Sequence, residues 1–346
     1  MLNSSKIFVI FLIAIFSFSG LVQAKKNSDN ENPSIGMVTG QKSGTYIAFG
    51  KDIAQEVAKD GITVNVFESN GSINNIERIT SKEKVGLAIV QSDVLSVLGE
   101  LKNPESIDIA KKMRLVAPFY DEEVHILASR EIKSIEDLAG KKVLVGSEGS
   151  GSMITAANIF KLVNVKPANL YQKDLLNGMV ALLNKQVDAL IFVGGKPLKI
   201  FKNMEEIYNA KQGENYEKLQ QLHFLALNDV RLLKDYKSAN ISSKDYSYVT
   251  EEVPTISVTA LLVTYDYTMK TGDYYKNHCD NMQKFAKSLF KRLDDLKANG
   301  HPKWKEVDLT ANISGWKRDE CSNIAVDTSA KKESLENSML KGIMEK

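Results

Sequence analysis

The chain has 346 residues, with 45 Lys and Arg against 43 Asp and Glu, a formal net charge of +2 and 43% hydrophobic residues. This balance gives no electrostatic case for nucleic-acid binding, and the length suits two domains that each bury a core. The two cysteines and four scattered histidines form no cluster with zinc spacing, so we expect neither a metal site nor a cofactor.

The first 24 residues have the pattern of a cleavable export signal. Lys6 precedes an apolar run over Ile7–Phe18, and Val22-Gln23-Ala24 places small residues before a cleavage site at Ala24. The run is short for a membrane span, and an uncleaved N-terminal anchor is the alternative. We therefore expect export to the periplasm, a mature chain of 322 of the 346 residues, and a polar linker over residues 25–33.

Strand-like and helix-like segments then alternate, which favours an α/β architecture with largely parallel sheets. The first predicted elements, in chain order, are strand Ile35–Val38, helix Thr45–Lys59, strand Ile62–Glu68, helix Ser72–Thr80, strand Gly86–Gln91, a helix over Asp93–Glu100, and strands Leu115–Tyr120 and Val124–Ser129. Next come a short helix at Ser134–Asp137, strand Lys142–Val145, helices Ser152–Leu162 and Leu175–Lys185, strands Val187–Val193 and Leu222–Leu227, and helix Asp229–Tyr236. The last are a long extended run Val253–Val263, a charged helical region Asp273–Asn299, and a tail over 330–346.

Three loops rich in small and amide residues each join an apolar run to a predicted helix. They are Ser43–Tyr46, Ser69–Ser72 and Gly146–Ser152. Backbone N–H groups and hydroxyls at the start of a helix bind anions, aided by the positive end of the helix dipole. Three such loops on an exported chain predict a carboxylate-binding cleft. Gly146–Ser152 lacks the Gly-Lys-Ser/Thr ending of a nucleotide P-loop, so we do not expect it to bind ATP.

The candidate ligand-binding residues lie in these loops and at the ends of apolar strands. They are Gly44, Thr45, Tyr46, Ser69, Ser72, Asn74, Gln91, Ser92, Ser147, Ser150, Gly151, Ser152 and Gly195. Glycines allow close approach of the backbone to a ligand, hydroxyls donate hydrogen bonds, and the amide of Gln91 can donate or accept. Tyr46 could instead be a core tyrosine, Asn74 could face solvent, and Asn70-Gly71 could be only a turn.

Charged residues near the loops leave the ligand class open. Asp93 is placed to cap the helix that follows it. Lys196 either pairs with a ligand carboxylate or lies at the surface. Glu148 would repel an anion, so it points away or recognises an amino group, which leaves amino acids and keto acids both open.

The sequence shows no catalytic set. No serine lies in a Gly-x-Ser-x-Gly elbow, and no histidine is placed to activate a nucleophile, so we do not expect an enzyme. Cys279 and Cys321 either form a disulfide, which export permits, or remain two separate thiols.

Several segments together resemble the TAXI family, the solute-binding proteins of TRAP (tripartite ATP-independent periplasmic) transporters. The similarity spans roughly residues 34–265, in the family's order. The matching pieces are Gly44-Thr45-Tyr46 with Gly50, Ser69-Asn70-Gly71-Ser72-Ile73-Asn74-Asn75, Ala88-Ile89-Val90-Gln91-Ser92-Asp93, Leu138-Ala139-Gly140-Lys141-Lys142-Val143, Gly149-Ser150-Gly151-Ser152, Asp188-Ala189, Gly194-Gly195-Lys196-Pro197 and Val253-Pro254-Thr255.

The resemblance implies a type II periplasmic binding fold, with residues 34–126 plus 256–346 as one lobe and 127–255 as the other. It implies that a monomer captures a small organic acid between the lobes, a dicarboxylate or an amino acid such as glutamate or 2-oxoglutarate. Delivery to TRAP membrane permease subunits, driven by an ion gradient, would follow. A periplasmic sensor that reports to a membrane receptor kinase is the alternative.

Overall fold

The computed structural model of the protein describes residues 33–42, 44–81, 83–100 and 103–323. The predicted signal peptide, the predicted linker up to residue 32 and the tail over 330–346 lie outside the described residues. No helix within the described ranges is long and apolar enough to cross a bilayer.

Strands and helices alternate along most of the described chain. The strands are β1 (Ser34–Val38), β2 (Thr63–Phe67), β3 (Leu87–Gln91), β4 (Met113–Ser129), β5 (Lys142–Leu144), β6 (Asn169–Tyr171), β7 (Ala189–Gly194), β8 (Leu222–Phe224), β9 (Lys237–Ile241) and β10 (Val253–Tyr265). The α-helices are α1 (Thr45–Ala58), α2 (Ser72–Thr80), α3 (Val94–Glu100), α4 (Pro104–Lys112), α5 (Gly151–Leu162), α6 (Leu175–Leu183), α7 (Lys199–Ala210), α8 (Glu214–Gln220), α9 (Asp273–Lys291) and α10 (Leu293–Asn299). Short 3-10 helices cover Ile135–Leu138, Leu232–Lys234, Tyr267–Met269 and Pro302–Glu306.

The strands form one mixed sheet in the order β2-β1-β3-β10-β4-β7-β5-β6. In one half, β1 pairs in parallel with β2 and β3, and β10 follows antiparallel. In the other half, β5 pairs in parallel with β6 and β7, and β4 follows antiparallel. The two halves therefore repeat one strand pattern, which is that of the type II periplasmic binding fold, and the predicted fold class is confirmed. We call the half with β1–β3 the first lobe and the half with β5–β7 the second lobe.

Two long strands, β4 and β10, run through both lobes and pair with each other from Ser257 opposite Glu123 to Tyr265 opposite Met113. The sequence predicted two separate strands here, Leu115–Tyr120 and Val124–Ser129. That prediction is wrong, because β4 continues without interruption through this segment. The predicted lobe boundaries fall inside β4 and β10 and stay a prediction.

Each lobe buries apolar residues on both faces of its part of the sheet. Successive strand residues point to opposite faces. In β3, Ile89 contributes to the core under α1 and α9, whereas Val90 contributes to the core under α2 and α3. In β5, Val143 packs toward α5 and Leu144 toward α6 and α7. Both faces of the sheet are therefore covered by helices, and this packing holds the strand ends at the lobe boundary in place.

Two helix predictions differ from the structure. The predicted helix Asp229–Tyr236 is reduced to the 3-10 turn Leu232–Lys234, because the chain must extend at once into β9, which pairs with β10. The predicted helical region Asp273–Asn299 is divided into α9 and α10 at Arg292, whose guanidinium holds Asp60 at 2.8 and 3.0 Å.

The structure pairs Cys279 of α9 with Cys321 in a disulfide. Cys321 is 5% exposed and belongs to the first-lobe core. The bridge therefore ties the last described segment of the chain to the first lobe.

Candidate functional site

A cavity of about 100 Å³ lies where the two lobes meet. Residues from both lobes and from β4 line it. They are Gly40, Gln41, Gly44, Thr45, Tyr46, Asn70, Gly71, Ser72, Gln91, Glu122, Ser147, Ser150, Gly151, Ser152, Phe192, Val193, Gly194 and Leu198.

Three helices begin at this cavity, after Gly44 for α1, after Gly71 for α2 and after Ser150 for α5. First-turn N–H groups have no acceptor inside their own helix. Neither glycine supplies a capping side chain; two first-turn N–H groups of α2, those of Ile73 and Asn74, donate instead to Gly149 O of the second lobe. Three positive helix ends at one cavity favour a negatively charged group there.

The start of α2 is fixed by a buried amide. Asn75 is fully buried, and its Nδ2 donates to Thr39 O and to Ile89 O, both at 2.6 Å. Thr39 directly follows β1 and Ile89 lies in the middle of β3, so the first turn of α2 is anchored to both strands. Gly71 has φ +119°, a backbone conformation that is strained for any residue with a side chain, so glycine is required there.

The loop before α5 contacts the first lobe directly. Gly149 O accepts the N–H groups of Ile73 at 3.1 Å and Asn74 at 3.3 Å. The side-chain amide of Gln41 donates to Ser147 Oγ at 2.7 Å. Because these bonds join the two lobes across the cavity, the cleft is closed in this structure.

A second set of bonds joins the lobes behind the cavity. The Thr155 hydroxyl, in the second lobe, lies 3.1 Å from Gln91 Oε1 and 2.8 Å from Asp93 Oδ2. The Tyr236 hydroxyl donates to the same Asp93 oxygen at 3.2 Å. Burial raises the pKa of Asp93 to about 6. Sequence placed Asp93 as a helix cap, whereas its side chain joins the two lobes.

Glu122, in the middle of β4, lines the cavity and is a residue that the sequence interpretation missed. It is 4% exposed, and the Tyr46 hydroxyl donates to its Oε2 at 2.7 Å. Burial raises the pKa of Glu122 to about 8. No lysine or arginine within the described ranges forms an ion pair with it. In the sequence, the acidic run at 121–123 lies between two predicted strands and was given no role.

The two acidic neighbours of Glu122 do have cationic partners. Lys303, 4% exposed, lies 3.5 Å from Glu123 Oε1. Lys237 pairs with Asp121 Oδ1 at 2.8 Å. Glu122 is therefore distinguished within its run by facing the cavity without a cation.

Of the thirteen predicted binding residues, nine line the cavity, and they are Gly44, Thr45, Tyr46, Ser72, Gln91, Ser147, Ser150, Gly151 and Ser152. The other four do not line it. Ser69 and Asn74 hydrogen-bond backbone N–H groups of their own loop. Ser92 Oγ accepts the Thr259 N–H at 3.1 Å, and Gly195 follows the end of β7.

Two other charged candidates lie away from the cavity. The ammonium of Lys196 is 3.2 Å from Asp245, and Glu148 is exposed. Sequence did not single out the apolar wall, which is Phe192, Val193 and Leu198. Across the described residues, no group of His, Cys, Asp and Glu is arranged to hold a metal ion.

Comparison with solved structures gives matches at low sequence identity. The periplasmic binding protein BugD has a TM-score of 0.45 at 15% identity, covering 79% of this chain and 85% of BugD. A periplasmic transporter has a TM-score of 0.46 at 13% identity, covering 78% and 87%. A histidine kinase sensor domain with similarity to periplasmic binding proteins has a TM-score of 0.44 at 12% identity, covering 80% and 98%. Residues 37–315 match the sequence pattern of the NMT1-like family, and the chain belongs to that family.

Proposed function

We propose that this protein is a periplasmic solute-binding protein that captures a small organic acid in the cleft between its lobes. The observation that carries the proposal is the convergence of three helix starts, two from the first lobe and one from the second, on one cavity. A carboxylate held there would receive N–H donors from both lobes and so favour the closed state.

Hydroxyl and amide groups of the cavity wall suit recognition rather than covalent chemistry. Ser150 Oγ accepts the Met153 N–H at 3.3 Å, and Ser152 Oγ accepts the Val193 N–H at 3.0 Å. These serines are engaged with the backbone, and no histidine lines the cavity among the described residues. We therefore propose a binding protein and not an enzyme.

We also propose delivery of the ligand to TRAP-type permease subunits, which the resemblance of residues 34–265 to the TAXI family supports. In reconstituted vesicles that contain the permease, uptake of the bound acid should require this protein and an ion gradient, and should not require ATP. Uptake that depends on ATP, or a complex with a receptor kinase and none with the permease, would contradict this assignment.

The carboxylate assignment is tested at Ser150, the N-cap of α5. Ser150→Asp and Ser150→Asn both keep a residue that caps helices well, so α5 should form in each. The aspartate adds a negative charge beside the bound carboxylate, and we expect it to weaken binding by roughly 100-fold, whereas the asparagine should retain most of the affinity.

Titration calorimetry with a panel of amino acids, 2-oxo acids and dicarboxylates would measure these affinities, and circular dichroism would check the fold. Equal affinities of the aspartate and asparagine variants would remove the loop before α5 from the anion site. If no acid in the panel binds the wild-type protein, the proposed function fails.

A further inference from the structure

The cavity has an uneven distribution of charge. Its positive character comes from the backbone at the starts of α1, α2 and α5, and no lysine or arginine lines it among the described residues. Its ionisable acid is Glu122, which β4 presents from between the lobes. A ligand that fits this pattern carries one negative end and one positive end.

The surroundings of Glu122 hold its carboxyl in place for a contact. Tyr46, the second residue of α1, donates its hydroxyl to Oε2 at 2.7 Å and is itself 8% exposed. Among the described residues, the Tyr46 hydroxyl is the hydrogen-bond donor to the Glu122 carboxyl. A buried carboxylate with one neutral donor is poorly compensated, and an ammonium group from the ligand would supply the missing charge.

We propose that Glu122 is the specificity-determining residue of the cleft and binds the ammonium group of an amino-acid ligand while the helix starts hold its carboxylate. The inference rests on the proposed function and deepens it. A dicarboxylate without an amino group would offer Glu122 no cation and would oppose its ionisation, and so would bind more weakly than the matching amino acid.

Binding of an ammonium group at Glu122 has a measurable consequence for protons. The titratable groups that face Glu122 are Tyr46 from α1, Tyr120 and Glu123 from its own strand, Asp93 after β3, and Lys303 from the 3-10 helix Pro302–Glu306. Burial is the main reason that the pKa of Glu122 is about 8, so near neutral pH the carboxyl mostly carries its proton. A bound ammonium favours the ionised form, so an amino acid should release a proton on binding.

The test compares matched ligand pairs in the wild-type protein and in Glu122→Gln. The pairs are L-glutamate with 2-oxoglutarate, L-alanine with pyruvate, and L-leucine with 4-methyl-2-oxopentanoate. For at least one pair, the wild-type protein should prefer the amino acid. Glu122→Gln should lose roughly 10- to 100-fold of that affinity, as expected for a hydrogen bond between charged groups, and should keep its affinity for the oxo acid.

Calorimetry in buffers of different ionisation enthalpy gives a second readout. Binding of the preferred amino acid to the wild-type protein at pH 7 should release close to one proton, and this release should fade as the pH rises past about 8. Glu122→Gln should show no such release. A ligand-free melting curve of the variant checks that the fold is unchanged.

The outcomes separate this inference from the proposed function. If the wild-type protein prefers the oxo acids or dicarboxylates, or if Glu122→Gln weakens both members of a pair equally, Glu122 does not select an ammonium group, although capture of an organic acid stands. A dicarboxylate that binds tightly with no proton release at pH 7, and with proton uptake above pH 8, would instead show Glu122 donating to a carboxylate. If none of the six compounds binds, this inference fails, and the proposed function fails as well only if no acid of the wider panel binds.

Discussion

Replacing Gly151 by alanine is expected to weaken ligand binding by roughly 10- to 100-fold while the fold remains intact. A Cβ atom at this position would come within 2.1 Å of Gln91 Oε1 and 2.7 Å of Ser72 Oγ. Both atoms belong to the first lobe, whereas Gly151 begins α5 in the second. Relief of the clash requires the lobes to separate or Gln91 to give up its place beside Thr155, and either change opposes closure.

Alanine is a better helix former than glycine, so α5 itself should tolerate the change. Gly99→Ala, in α3, is the matched control because no atom lies within 4 Å of its added Cβ. Calorimetry would give the affinities, and small-angle scattering with saturating ligand would report closure. A Gly151→Ala protein that binds and closes like the wild type would show that α5 does not approach Gln91 in the bound state.

Removal of the disulfide is expected to lower the free energy of unfolding by about 4 kcal/mol, because the bridge closes a long loop in the unfolded chain. Cys279 and Cys321 are 42 residues apart in sequence. Urea unfolding of the wild-type protein and of the double variant Cys279→Ser/Cys321→Ser would measure the difference.

Neither cysteine lines the cavity, so the same double variant should bind ligand with nearly unchanged affinity at low temperature. Adding a reducing agent to the wild-type protein should reproduce the loss of stability without any substitution. A difference below about 1 kcal/mol would mean that the bridge does not constrain the unfolded chain as expected.

The parts of the site that could be predicted from sequence are those with local signals. Gly44-Thr45 and Gly149-Ser150-Gly151 each combine a turn residue with a hydroxyl just before an apolar helical pattern. A helix start is determined by a few consecutive residues, so sequence alone was sufficient to predict these loops. The repeated order of strands and helices likewise indicated the α/β class.

The parts that could not be predicted depend on partners distant in sequence. Three adjacent acids at 121–123 suggest a turn until the cation of Lys303 and the hydroxyl of Tyr46 are placed beside them. Those partners lie 180 and 76 residues from the acids that they contact. The role of Asp93 depends in the same way on Tyr236, which lies in the second lobe, 143 residues away in sequence.

Closure of the two lobes around a small carboxylate is tested most directly by a crystal structure of the protein purified from cells without refolding. We predict density for a small acid in the cavity, with a carboxylate within hydrogen-bond distance of backbone N–H groups at the starts of α1, α2 or α5. Contradicting results would be a carboxylate that contacts none of these helix starts, or a ligand bound outside the cleft while the lobes stay closed.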